Sequence, residues 1–132
     1  MKSPHDAPAP TTAEREGSRA TLVTAFVFAL GVASWLVLAA IVRDLEAWDS
    51  PFYFVVIVPL SIVVGFGCAR VCGGPSWRWP LAFFGGEFAV MATIWLTRGI
   101  ASLWPFSIAF LVVFALPSWL AAVFGVRLRQ RG

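Results

Sequence analysis

Charge is scarce in this chain. Of its 132 residues only 13% are Asp, Glu, Lys or Arg, one is histidine, two are cysteine, and asparagine does not occur. Each shortage removes a class of function. His5, Cys68 and Cys72 are too few and too scattered to supply the three or four side chains of a metal centre. No nucleophile stands with a base, no carboxylates are paired for acid–base work, and no glycine-rich fingerprint cradles a phosphate. Catalytic residues, cofactors and metal are therefore expected to be absent, and the protein is not expected to be an enzyme. At 59% hydrophobic residues, against roughly 45–50% for a soluble domain, a water-soluble globule is excluded.

What the chain does have is four apolar runs, 20–42, 52–69, 79–97 and 105–126, and they contain a single Asp, Glu, Lys or Arg, namely Glu87. Each run is close to the ~20 helical residues that cross ~30 Å of hydrocarbon at ~1.5 Å per residue. The expected fold class is all-α, an integral bundle of four transmembrane helices occupying 20–126. Residues 1–19 hold Pro4, Pro8 and Pro10 among small and charged residues and read as a disordered tail. Residues 127–132 read as a short basic tail. The connections between runs are too short for an extramembrane domain.

Basic residues fix the orientation, because short loops rich in Lys and Arg stay in the cytoplasm. Lys2, Arg15, Arg19, Arg70, Arg78, Arg127, Arg129 and Arg131 fall on the side shared by both termini and the second loop, leaving Arg43 and Arg98 for the other. Both termini are expected in the cytoplasm of a bacterial inner membrane, with the first run as an uncleaved signal anchor. The net charge of +3 then points to anionic lipid headgroups at the cytoplasmic face as partners, not to nucleic acid.

Local signals punctuate the runs. Asp49 or Ser50 can cap a helix that Pro51 opens without needing a donor, and Pro105 opens the last run similarly. Cys72-Gly73-Gly74-Pro75-Ser76 reads as a helix stop and turn, with Ser76 as a cap for the third span. Trp48, Trp77, Trp79, Trp95 and Trp104 fall near the expected interfaces. Pro59 and Pro117 can kink their helices, with Ser61 or Ser118 compensating for freed backbone groups. Small residues recur at three-to-four spacing, the pattern that lets helix backbones approach closely in lipid. The stripes are Ala25/Ala29/Ala33, Ser61/Gly65/Ala69, Ala82/Gly86/Ala89/Thr93 and Ser118/Ala122/Gly125. Gly65, Ala82, Gly86, Ala89, Ser118 and Gly125 are the candidate packing positions.

Glu87 lies near the middle of its run and is the candidate functional residue. An acid there costs roughly 2.5–3.5 kcal/mol to insert, which marks it as a proton relay or cation site by default. The competing reading is a neutral carboxyl that hydrogen-bonds a neighbouring helix, favoured here because the other spans hold no Lys, Arg, His or second acid. On a helical wheel Glu87 falls almost opposite the Ala82/Gly86/Ala89 stripe. Two faces with reason to avoid lipid suggest packing against a second copy or a larger membrane complex. Cys68 and Cys72 lie one turn apart on a helix, which gives poor disulfide geometry, and they read as structural.

Small multidrug exporters carry their glutamate in the first span, and fluoride channels carry an asparagine; this chain has neither. Disulfide-forming quinone-linked proteins present their cysteines to the outside, whereas Cys68 and Cys72 should face the cytoplasm. The combination Trp48-Asp49-Ser50-Pro51, Pro59, Trp77-Arg78-Trp79, Trp104-Pro105 and Pro117 resembles a group of four-span proteobacterial inner-membrane proteins, a resemblance that implies fold and location and brings no activity. The expected function is that of a structural or accessory subunit acting by helix packing in a homo- or hetero-oligomer. The alternative is a small transporter or channel using Glu87.

Overall fold

The computed structural model describes residues 11–42, 50–98 and 104–132. Its helices are α1 (Thr12–Val42), α2 (Val58–Cys72), α3 (Arg78–Arg98) and α4 (Trp104–Arg131), with a π-helical segment, Tyr53–Ile57, leading into α2. All four are long and apolar enough to cross a membrane. The first helix begins at Thr12, where the Thr11 carbonyl accepts from the Arg15 amide at 3.1 Å, so residues 12–19, read as part of a disordered tail, are helical. The last helix likewise runs to Arg131, through the expected tail. A helix need not stop where the hydrocarbon does: apolarity marks the span, whereas backbone hydrogen bonds mark the helix.

Ser50 fills the expected capping role ahead of Pro51. Its hydroxyl accepts from the Phe52 amide at 3.3 Å and its carbonyl accepts from the Tyr53 amide at 3.0 Å. The widened turn that follows has a cause in Pro59, whose ring crowds the carbonyl four residues earlier and whose nitrogen cannot donate. One extra residue is accommodated just before it, with the Val58 amide reaching back five positions to the Tyr53 carbonyl. After α2 the chain turns on Gly73 and Gly74, both at positive φ (69° and 80°), a conformation that disfavours a Cβ. The Gly73 amide closes α2 on the Ala69 carbonyl, and the Gly73 carbonyl accepts from Trp79 Nε1 at 3.2 Å. Trp79 is thus a buried strut of this turn, not an interface anchor. Ser76 lies within the turn, and the first bond of α3 runs from the Leu81 amide to the Trp77 carbonyl.

The helices pack as two interleaved pairs, α1 on α3 and α2 on α4. Glycine sets both contacts. A Cβ on Gly31 would strike the Phe83 carbonyl oxygen, and one on Gly86 would strike the Phe28 carbonyl and lie 2.8 Å from the Val32 amide nitrogen, so the α1 and α3 backbones touch directly. In the second pair a Cβ on Gly65 would lie 2.7 Å from Ser118 Oγ, and one on Gly125 would lie 2.7 Å from the Phe66 carbonyl. Ser61, Gly65 and Ala69 are buried against Ser118, Ala122 and Gly125. Ser118 Oγ donates to the Ser61 carbonyl at 2.8 Å, tying α4 to α2. Ser61 donates to Val58 within its own helix.

On α1 the expected stripe is not the one used within the chain: Ala25, Ala29 and Ala33 are exposed, and Val27, Gly31, Trp35 and Leu38 face inward. Small-residue spacing identifies a face without saying which way it turns, and Gly31 permits a closer approach than any alanine. On α3, Ala82 and Gly86 are buried, Ala89 half-buried and Thr93 exposed.

Candidate functional site

Three helical segments converge on Glu87. From α3 the carboxyl is fully buried; Tyr53, at the head of the π segment, donates its hydroxyl proton to Oε2 at 2.7 Å; Ser34 of α1 places its Oγ 3.4 Å from Oε1. Ser34 also lies 2.8 Å from the Gly31 carbonyl oxygen of its own helix. A hydroxyl has one proton to give, so Ser34 serves the carbonyl and the carboxyl unequally, and the carbonyl has the better distance.

The tyrosine reaches a long way to make its bond. Tyr53 stands nineteen residues before the end of α2, roughly 28 Å from the Gly73 turn, whereas Glu87 stands nine residues into α3, roughly 14 Å from the same turn. The bond between the two side chains spans that offset. An aromatic wall surrounds the phenol: the Trp35 ring lies edge-on at 6.2 Å and the Phe114 ring at 5.3 Å. Trp35 is itself buried, and its Nε1 has no hydrogen-bond partner among the described residues.

The wheel argument for a second copy changes in this geometry. Gly86 and Glu87 both belong to the seam with α1, one meeting its backbone and the other Ser34, while the carboxyl also reaches Tyr53. Successive helical residues differ by only ~100°, so a glycine contact and a carboxyl contact fit on one broad interface. The two faces that suggested an external partner are both used inside the chain.

Sequence reasoning found Glu87 but missed its partners. It searched the other spans for charge, and the partners are neutral. One signal was available: Tyr53 is the only tyrosine in a chain with twelve phenylalanines, placed where phenylalanine would serve packing equally well. Arg78, a basic residue that marks topology in the sequence, has a structural role as well. It joins α3 to α1, with Nε donating to Thr24 Oγ1 at 2.7 Å, Nη2 to the Ala20 carbonyl at 3.1 Å, and its guanidinium 5.5 Å from the Trp79 ring centroid.

Among the described residues no three His, Cys, Asp or Glu side chains cluster as metal ligands. Cys68 and Cys72 are free thiols and half-buried. Replacing either or both with serine is expected to leave folding and assembly unchanged, within roughly 0.5 kcal/mol for sites outside any network. Elemental analysis of the purified variants checks the point; loss of a stoichiometric metal would reveal a site. No known protein family, curated protein or solved structure matches this chain.

Proposed function

We propose that the protein is a structural or accessory subunit of the bacterial inner membrane, working by helix packing in a homo- or hetero-oligomer with both termini in the cytoplasm. The observation that carries this reading is the engagement of the Glu87 carboxyl by hydroxyl groups of its own chain, from α1 and from the π segment. If Glu87 keeps its proton on Oε1 and donates it to Ser34, then Ser34 keeps its bond to Gly31, Tyr53 keeps its bond to Oε2, and every polar atom in the chain of bonds has a partner. Such an arrangement fastens three segments together with nothing left over to carry. Cavities among the described residues open laterally between α3 and α4, along Leu81, Phe84, Val112 and Ala115, and Glu87 lines neither of them. Support for a partner comes from the outer face of α1, where Ala25, Ala29 and Ala33 would let a further helix approach closely.

The transporter reading keeps one supporting observation: a π turn, a feature frequent at functional sites, aims Tyr53 at the carboxyl beside the unpartnered Trp35 indole. One experiment separates the two, namely oligomeric state in mild detergent together with pH-driven ion flux in reconstituted vesicles, for wild type, Glu87→Gln and Glu87→Ala. A packing role predicts no flux in any variant and, because the bonds of Glu87 lie within the chain, a fold retained by Gln and destabilised in Ala. Wild-type flux that Gln abolishes without disturbing assembly would overturn it. A wild-type chain that purifies alone and monomeric would overturn the subunit role.

The orientation has its own check. A cytoplasmic-active reporter fused after Gly132 is expected to be active, and alkaline phosphatase at that position silent, because the basic residues concentrate at that end.

A further inference from the structure

The end of the bundle that gathers the α1 and α3 N-termini with the α2 and α4 C-termini holds a small cavity of about 110 Å³, lined by Glu16, Arg19, Ala20, Val71, Cys72 and Arg129. We infer that this cavity is a binding site for the phosphate of an anionic membrane lipid, clamped between Arg19 of α1 and Arg129 of α4.

The position of Arg129 is built, not incidental. Its Nη1 donates to the Val71 carbonyl at 3.1 Å, and its guanidinium occupies the space where a Cβ on Gly73 would stand. A guanidinium has five N–H donors in a planar fork, and this bond uses one of them. Arg19 of α1 lines the same cavity, and its side chain makes no hydrogen bond or ion pair among the described residues, although Glu16 lines the cavity too. Three charged side chains therefore surround one space without pairing across it. With two arginines against one glutamate the space favours an anion, and the fork geometry of arginine suits phosphate oxygens.

Depth identifies the source of that phosphate. The walls change from charged to apolar at Ala20, Val71 and Cys72, at the edge of the membrane-crossing parts of α1 and α2. That is headgroup level, and basic pockets between transmembrane helices at the cytoplasmic side are suited to lipid headgroups. Arg15, Arg70, Arg78, Arg127 and Arg131 lie at the same end of their helices and raise the local concentration of anionic lipid around the cavity.

The test is native mass spectrometry of the detergent-purified protein at about 150 mM salt, where diffuse attraction is screened over ~8 Å. It is titrated with phosphatidylglycerol or with phosphatidylethanolamine of the same acyl chains. Wild type is expected to retain phosphatidylglycerol preferentially. Arg19→Gln, which removes no contact within the protein, is expected to weaken that retention by about tenfold or more, Arg129→Gln comparably, and Arg127→Gln, outside the cavity, by less than about threefold. Thermal unfolding of each variant shows whether the loss of the Arg129 tie has loosened the fold; the result for Arg19→Gln stands free of that concern. Equal effects of Arg19→Gln and Arg127→Gln, or equal retention of the two lipids, would overturn the site. Binding of inorganic phosphate in the absence of lipid, with the same dependence on Arg19, would overturn the lipid as its source.

Discussion

Gly31→Ala is expected to push α1 off α3 and to be among the most destabilising single-methyl changes the protein can suffer. The new Cβ would overlap the Phe83 carbonyl oxygen and lie 2.9 Å from the Phe83 carbonyl carbon, and these are backbone atoms of a packed helix that cannot rotate away. Overpacking costs ~1–3 kcal/mol where side chains can yield, and more where they cannot; a loss of about 3 kcal/mol or more is expected. Gly86→Ala meets the same seam from the other side and should match it, and the double variant should cost less than the sum because the first substitution already parts the helices. The control is Gly67→Ala in α2, where a Cβ would meet nothing within 4 Å. There alanine should stabilise by up to ~0.5–1 kcal/mol, the conformational entropy of a mid-helix glycine. Unfolding by SDS in mixed micelles, followed by circular dichroism, measures all four. Similar midpoints for Gly31→Ala and Gly67→Ala would show that the α1–α3 contact is not made.

The second large effect is expected at the carboxyl. Tyr53→Phe removes one oxygen and almost no volume, so its effect isolates the 2.7 Å bond to Glu87 Oε2. An acceptor left unsatisfied in a dry interior costs ~1–3 kcal/mol, whereas interhelical bonds measured in membranes average ~0.6 and reach ~1.7 kcal/mol. A cost of about 1–2 kcal/mol is expected, since full burial puts this pair at the upper end of the membrane range. Glu87→Ala should cost more, because it also opens a cavity beside Tyr53. In the double variant the two should fall short of additivity by about 0.6–1.7 kcal/mol. Additivity within ~0.5 kcal/mol would mean that the phenol and the carboxyl act independently.

These two sites differ in how far the amino-acid sequence revealed them. Four spans, the cap at Ser50 and the Gly73 turn were legible because each follows from a local rule: apolar run length, a side-chain acceptor before proline, a residue tolerant of positive φ. Gly86, Gly65, Ser118 and Gly125 were legible as small residues at the right spacing. On α1 the same rule chose Ala25, Ala29 and Ala33, and the structure turns Gly31 inward instead. The rule ranks faces by average size, while the seam is decided by its tightest point, and only glycine fits under the Phe83 carbonyl. Tyr53 escaped for a different reason. Its meeting with Glu87 depends on how two separate helices pack, which no single span encodes.

The interleaved pairing sets the order in which the protein can be completed. Cross-helix bonds join residues far apart in the chain: Ser34 to Glu87 are 53 positions apart, Ser61 to Ser118 are 57, and Ala20 to Arg78 are 58. At roughly 5–20 residues per second of synthesis, each earlier partner waits roughly 3–12 s for the later one to leave the ribosome. During that interval α1 and α2 share the bilayer with little mutual contact, and the Ser61/Gly65/Ala69 face of α2 has nothing but lipid or the insertion machinery against it. Glu87, by contrast, enters a membrane in which Ser34 and Tyr53 are already present to receive it. The costliest group to insert is thus translated after its hydrogen-bond partners, while the Ser61/Gly65/Ala69 face of α2 waits for the final helix.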